Sequence, residues 1–170
     1  MPELQPLNAD HAEAVLAFEV ANRAYFATFI SDRGDAYFER FAEQYDALLA
    51  DQQAGQGAYY VLVDDDGTVL GRFNLTLVAN GVALLGYRVA EHVAGRGVAT
   101  ATVRDLSRLA ASRHGVHTLR AATSTANAAS RRVLLSAGFT EAGAAEPSDL
   151  GGKQGSWYQR DLARLSQEDA

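Results

Sequence analysis

The chain has 170 residues, no cysteine, 15 glycines and a formal net charge of -6 from 15 basic and 21 acidic residues. Without cysteine it forms no disulfide, no thiolate nucleophile and no thiolate metal site. The acidic balance argues against a general nucleic-acid binder, because phosphate affinity comes from clustered Lys and Arg.

An apolar fraction of 48% and a charged fraction of 21% describe an ordinary globular chain. The length suits one domain with a substantial core. Met1 to Asp10 lacks a basic segment followed by an apolar one. No apolar run approaches the roughly 20 residues of a spanning helix. The expectation is a cytoplasmic protein with neither nucleic-acid nor membrane partners, folded as one domain over 1–165. Residues 166–170 are expected to form a polar tail.

In chain order, Leu4 and Leu7 fit a short first strand. Asn8 or Asp10 can cap a helix beginning near His11, with Ala14, Val15, Phe18 and Ala21 at helical spacing. A second amphipathic helix is expected from Asp35 to Gln53, with Phe38, Phe41, Tyr45, Leu48 and Leu49 on its apolar face. Gly55 and Gly57 break it.

Strands follow. Tyr59 to Val63 is apolar, and Asp65-Asp66-Gly67 signals a tight turn. From Arg72 to Leu77 the pattern alternates, with Phe73, Leu75 and Leu77 inward and Arg72, Asn74 and Thr76 outward. Asn80-Gly81 is a strong hairpin signal leading to a return strand, Val82 to Val89. Three successive antiparallel strands are expected.

The second half changes period. Val98 to Arg113 reads as a helix closed by Gly115, with Val98, Thr102, Leu106, Leu109 and Ala110 inward. His117 to Thr123 reads as a buried strand, Asn127 to Ala137 as a helix stopped by Gly138, and Phe139 onward and Ser156 to Leu162 as two last strands. This alternation implies parallel pairing around a helical crossover.

The sharpest chemical feature joins a strand to a helix: Glu91-His92-Val93-Ala94-Gly95-Arg96-Gly97-Val98-Ala99-Thr100. Gly95 and Gly97 let the backbone approach a ligand, and the N–H groups of a helix start point outward, so the segment can cradle phosphate oxygens. The plainer reading is a glycine turn entering a helix. No Lys-Ser or Lys-Thr follows the glycines, so it is not a Walker loop. It also follows a meander, unlike the first turn of a dinucleotide fold.

The meander, this loop, and Asn127-Ala128-Ala129-Ser130 followed by Gly138-Phe139 resemble the GNAT superfamily of acetyl-coenzyme A dependent N-acetyltransferases. The family's loop pattern is Gln/Arg-x-x-Gly-x-Gly/Ala; Ala94 replaces its first residue, while Gly97 and Ala99 match. The resemblance implies an α/β fold: a mixed, centrally splayed sheet of about six to seven strands flanked by about four helices. Within the superfamily the chain is most similar to the RimJ/RimL branch, which acetylates ribosomal-protein N-termini. Asn22-Arg23 with Tyr25, Phe26 and Phe29 carries that likeness, as does Asn127-x-x-Ser130-x-x-Val133-Leu134-x-x-Ala137-Gly138-Phe139.

What the resemblance implies for the site can be written residue by residue. Main-chain groups of Tyr87 and Val89 would hold pantetheine and orient the thioester. Gly95, Arg96, Gly97, Val98, Ala99 and Thr100 would surround the pyrophosphate of acetyl-CoA. Asn127 would bond the pantetheine arm, though an asparagine there is also a good helix cap. Ser130 would donate a proton to the leaving thiolate. Many relatives carry a tyrosine where this chain has Leu134, which raises Ser130. Ala122 occupies the place of a glutamate base in some relatives. Glu19 is the remaining nominee, with a solvated carboxylate and a water chain as alternatives. Arg131 and Arg132 can reach the coenzyme's 3'-phosphate or simply be solvated. The spacings of His92, His114 and His117 fit no metal pattern, so no metal is expected.

The expected function is acetyl transfer from acetyl-CoA directly to a primary amine, of the ribosomal-protein-alanine N-terminal type, in a pocket shaped by Arg23 to Tyr37. Two alternatives stand: an enzyme for a small amine (amino acid, polyamine or antibiotic) and a non-catalytic acyl-CoA sensor. A homodimer is compatible with all three.

Overall fold

The computed structural model describes residues 1–163. In chain order the elements are β1 (Glu3–Pro6), α1 (Ala12–Ala21), α2 (Arg23–Ala27), α3 (Asp35–Glu39), α4 (Phe41–Gln53), β2 (Gly57–Val63), β3 (Val69–Leu77), β4 (Val82–Val89), α5 (Val98–His114), β5 (Thr118–Ser124), α6 (Ala128–Ser136), β6 (Thr140–Ala145) and β7 (Gly155–Asp161). The seven strands hydrogen-bond in the order β1-β2-β3-β4-β5-β7-β6, an α/β fold with a mixed sheet. The expected polar tail, 166–170, lies outside the described residues.

The chain forms two compact units. The first comprises Met1–Asn74 and Tyr87–Val93; the second comprises Leu75–Gly86 and the chain from Ala94 onward.

In the first unit, β1 runs antiparallel to β2, with Glu3 opposite Val63 and Pro6 opposite Tyr60. The core gathers Leu7, Val15, Phe18, Phe26, Phe41 and Tyr45 against Tyr59, Val61 and Val69. Burying each large apolar side chain contributes about 1.5–3 kcal/mol. Asn8 caps a short turn, Ala9–His11, that leads into α1; its side chain accepts from Asp10 N–H at 2.9 Å.

Among the described residues the expected four helices are six, because two of them are interrupted. Asn22 ends α1: its amide donates to the Phe18 carbonyl at 2.9 Å and accepts from Glu91 N–H at 3.0 Å. An asparagine side chain that competes for backbone groups breaks helices in this way. Arg40, with φ -111° and ψ 28°, separates α3 from α4. The apolar spacing continues across it, since Tyr37 and Phe41 still pack edge-on at 5.9 Å, so periodicity alone does not reveal the break.

The alternation assigned to Arg72–Leu77 holds for Phe73 and Leu75 but not for Arg72. The strand begins at Val69, and Arg72 is buried beside an ionic partner.

In the second unit, α5 leads into β5, and the start of β4 pairs with β5 in parallel, Val82 with Thr118 and Leu84 with Arg120. The register covers three residue pairs, after which β5 continues to Ser124 with β7 on its other side. That short pairing is the expected splay. The expectation of parallel pairing fails for the last strands: β7 inserts antiparallel between β5 and β6. Asn80 (φ 63°) and Gly81 (φ 74°) form the expected hairpin turn; both left-handed positions suit Asn-Gly. α5 buries Thr102, Val103, Leu106, Ser107 and Ala110, while Val98 and Leu109 are half-buried. Among the described residues no helix is long and apolar enough to cross a membrane.

Candidate active site

The residues singled out in the sequence fall in both units. Glu19, Tyr87 and Val89 belong to the first; the glycine loop, Asn127 and Ser130 belong to the second.

α1 places Val15, Phe18 and Glu19 on its buried side. Glu19 is 1% exposed, so the solvated-carboxylate alternative is excluded. Its Oε1 accepts from Arg72 Nη1 at 2.8 Å and Arg33 Nη2 at 3.1 Å. Its Oε2 accepts from Arg33 Nε at 3.1 Å and Arg88 Nη1 at 3.2 Å. Burial alone would raise the pKa of Glu19, but the charges of Arg33, Arg88 and Arg72 outweigh it and hold the carboxyl below its ordinary value. A carboxylate with both oxygens committed and its proton affinity lowered is a poor general base at neutral pH. Burial, reinforced by Arg33 and Arg72, brings the Arg88 guanidinium down to about 10 against the pull of Glu19.

Sequence reasoning missed the three arginines, because Arg72 and Arg88 look like outward strand residues and Arg33 lies in a loop. No sequence signal links them to Glu19, since they stand 14, 53 and 69 residues from it. Asn22 and Arg23 are organisers. Arg23 forks onto Asp32 at 3.0 and 2.8 Å, reaches Asp35 at 2.8 Å, and lies over the Phe38 ring at 4.4 Å. Tyr87 is half-buried and stacks on Phe73 at 5.7 Å.

In the second unit the α5 start is an exposed cradle. Gly95 (φ 76°) and Gly97 (φ 78°) adopt left-handed backbone, and a Cβ built on either meets nothing within 4 Å. That open space lies in front of main chain a ligand can approach. No side chain caps α5 and its first turn carries no acidic residue, so its N–H groups and the positive end of the helix dipole remain for an anion. Arg96 on the same loop is exposed. These features fit a pyrophosphate.

Asn127 caps α6, its side chain accepting from Ser130 N–H at 3.2 Å. Both are half-buried, whereas Arg131 and Arg132 are exposed. Asn127 N–H in turn donates to the Ser124 carbonyl at 3.0 Å. Ser124 was not foreseen. Its buried Oγ has no hydrogen-bond partner among the described residues, and a buried hydroxyl of this kind is one that a bound polar group completes. Among the described residues no set of three acidic or histidine side chains could hold a metal.

The Acetyltransferase (GNAT) domain family matches residues 3–140. The chain belongs to the GNAT acetyltransferase family. This acetyl-CoA-dependent acetyltransferase is 28% identical over 151 residues to the probable N-acetyltransferase YjcK of Bacillus subtilis, with 84% of this chain and 82% of that one covered. Its fold is similar to that of the ribosomal-protein-S5-alanine acetyltransferase from Vibrio fischeri, with a TM-score of 0.87 at 17% identity, covering 96% of this chain and 94% of that one. It is also similar to the spermidine N-acetyltransferase from Vibrio cholerae, solved in complex with CoA and spermine, with a TM-score of 0.78 at 15% identity over 96% and 97% of the two chains. At these identities the two structures establish the shared fold alone.

Proposed function

We propose that this acetyltransferase moves acetyl from acetyl-CoA directly to a protein or peptide N-terminal amine of the ribosomal-protein-alanine kind. The observation that carries the coenzyme half is the open, acid-free start of α5 behind Gly95 and Gly97. The acceptor half is supported by the likeness to the S5-alanine enzyme, stronger than that to the spermidine enzyme.

Bound acetyl-CoA supplies the activated acetyl group. Gly95 to Thr100 hold its pyrophosphate, main-chain groups of Tyr87 and Val89 orient the thioester, and Asn127 bonds the pantetheine arm. A strand N–H stabilises developing oxyanion charge. Ser130 would give a proton to the departing thiolate and regain one from the water that takes the amine's proton. Glu19 is assigned to holding arginines, and water removes the proton from the amine. With no cysteine in the chain, direct attack by the amine replaces a covalent enzyme intermediate. Residues 1–165 acting as one catalytic domain in the cytoplasm belong to the same proposal.

A second reading, a small cationic amine as acceptor, is favoured by a groove lined by Asp10, Glu13, Asp66 and Glu91. Thiol release from acetyl-CoA across peptides and small amines tests both. If small amines alone react, the peptide assignment is wrong. If no amine reacts despite tight coenzyme binding, the catalytic reading is wrong.

A further inference from the structure

We propose that the arginine cluster around Glu19 recognises a carboxylate close to the reacting amine, so that the preferred acceptor is an acidic peptide and polycations are disfavoured. This rests on the acyl-transfer reading above and names the substrate class within it.

The charges do not balance. Arg33, Arg72 and Arg88 share the single carboxylate of Glu19. Asp32 and Asp35 are engaged by Arg23. Four guanidinium groups thus face three carboxylates, and the surplus sits on the three arginines around Glu19. Buried like charges are costly unless an opposite charge joins them. An incoming anion relieves that cost, and an incoming cation adds to it.

The exposure is graded. Arg72 is 4% exposed, Arg88 17% and Arg33 28%. Arg72 and Glu19 therefore form the buried base, and Arg33 and Arg88 form the accessible rim. Arg33 and Arg88, together with Glu19, Arg23, Phe26 and Phe38, line a cavity with room for about one water, so an acceptor carboxylate would meet Arg33 and Arg88 at its mouth. Arg88 reaches Glu19 through Nη1, and a guanidinium carries five N–H donors in a planar fork that matches a carboxylate.

The rim is held in place beforehand. Arg88 stacks over Phe26 at 4.8 Å and Arg33 over Tyr37 at 4.6 Å. Tyr37 also accepts from Arg72 Nη1 at 3.2 Å. Fixed guanidinium groups lose little freedom on binding.

The position in the chain suits an acceptor site. Arg88 stands between Tyr87 and Val89 on β4, the pair assigned to the thioester. Strand alternation turns it to the opposite face, where it meets Glu19 of α1. The flanking segment, Arg23 to Tyr37, is the one expected to shape the acceptor pocket.

The test uses C-terminally labelled peptides beginning Ala-Glu, Ala-Gln and Ala-Lys and otherwise identical. Thiol release gives kcat/KM, and fluorescence anisotropy with the CoA-loaded protein gives Kd. The Glu peptide is expected to exceed the Gln peptide about tenfold in both, with the Lys peptide lowest. Arg88→Gln, or Arg33→Gln where Arg88→Gln does not fold, is expected to bring the Glu-to-Gln ratio close to one. Arg88→Lys, which keeps charge but loses the fork, is expected to give an intermediate ratio. Equal Glu and Gln peptides in the wild type overturn the proposal, and so does a ratio that survives both substitutions. If only small amines react, the peptide reading fails separately. Leucine against leucinamide, compared at a pH where both amines are neutral, then decides the carboxylate inference: faster leucine supports it, and equal rates overturn it. If nothing reacts, the anisotropy ratio decides in the same way.

Discussion

Arg72 Nη1 donates to Glu19 Oε1 at 2.8 Å, joining two side chains 53 residues apart that are 4% and 1% exposed. This ion pair ties α1 to β3 beneath Arg33 and Arg88. Removing the carboxylate leaves three guanidinium groups without their shared anion. Breaking a buried pair from one side costs about 3–5 kcal/mol. Glu19→Ala is therefore expected to lower the free energy of unfolding by that order, read from urea unfolding followed by circular dichroism. A shift under about 1 kcal/mol would mean the cluster is no better than a surface pair.

The same residue sets an acid dependence. The folded-state pKa of Glu19 is lowered by its arginines, so its contribution to stability is complete above the ordinary glutamate value of about 4.3 and disappears as pH falls through the folded value. The stability advantage of the wild type over Glu19→Gln is thus expected to shrink on acidification below that range. Parallel unfolding curves for the two proteins would show that Glu19 does not titrate with folding.

Catalysis should follow the acceptor's own amine. If water takes the proton, as proposed, kcat/KM is expected to rise with pH until the α-amino group is neutral, near 7.7–8.0 for an ordinary terminus. Acceptors of different amine pKa should move this limb in step. A limb that stays fixed across acceptors would point to an enzyme base instead.

Gly97 separates ligand binding from folding. A Cβ there meets nothing within 4 Å among the described residues, although φ is 78°. Gly97→Ala should therefore cost only the left-handed backbone penalty, about 1–2 kcal/mol. Gly97→Glu adds a carboxylate to the phosphate cradle and is expected to abolish CoA binding by calorimetry while the protein stays folded. Unchanged CoA affinity would mean that the loop does not hold the pyrophosphate.

Asn127 and Ser130 should differ in kind. Asn127→Ala loses the α6 cap, about 1 kcal/mol, and weakens CoA binding. Ser130→Ala keeps the cap, because the Asn127 contact is to its main-chain N–H. It is expected to lower kcat by about 10²–10⁴ with little change in CoA affinity. Full activity in Ser130→Ala would remove it from the mechanism.

Much of this was legible in the chain itself. Asn80-Gly81, Gly115 and Gly138 mark turns and helix ends because their backbone conformations suit few other residues. The glycine loop and the Asn127 and Ser130 spacing, to which coenzyme binding is assigned by proposal, are readable because they are local patterns on one loop and one helix. Six helices in place of four escaped notice because Asn22 and Arg40 interrupt helices without interrupting the apolar spacing. The insertion of β7 between β5 and β6 escaped because strand order depends on contacts distant in sequence.

The sequence by itself determined the family, the glycine cradle and the absence of a thiol nucleophile, all of which are properties of residue identity over short spans. Only the tertiary structure decided what Glu19 is. Arg33, Arg72 and Arg88 stand 14, 53 and 69 residues away from it, and no periodicity links them. Three positive charges converge on one buried carboxylate and lower its proton affinity, because that affinity depends on neighbouring charge in space rather than on order along the chain.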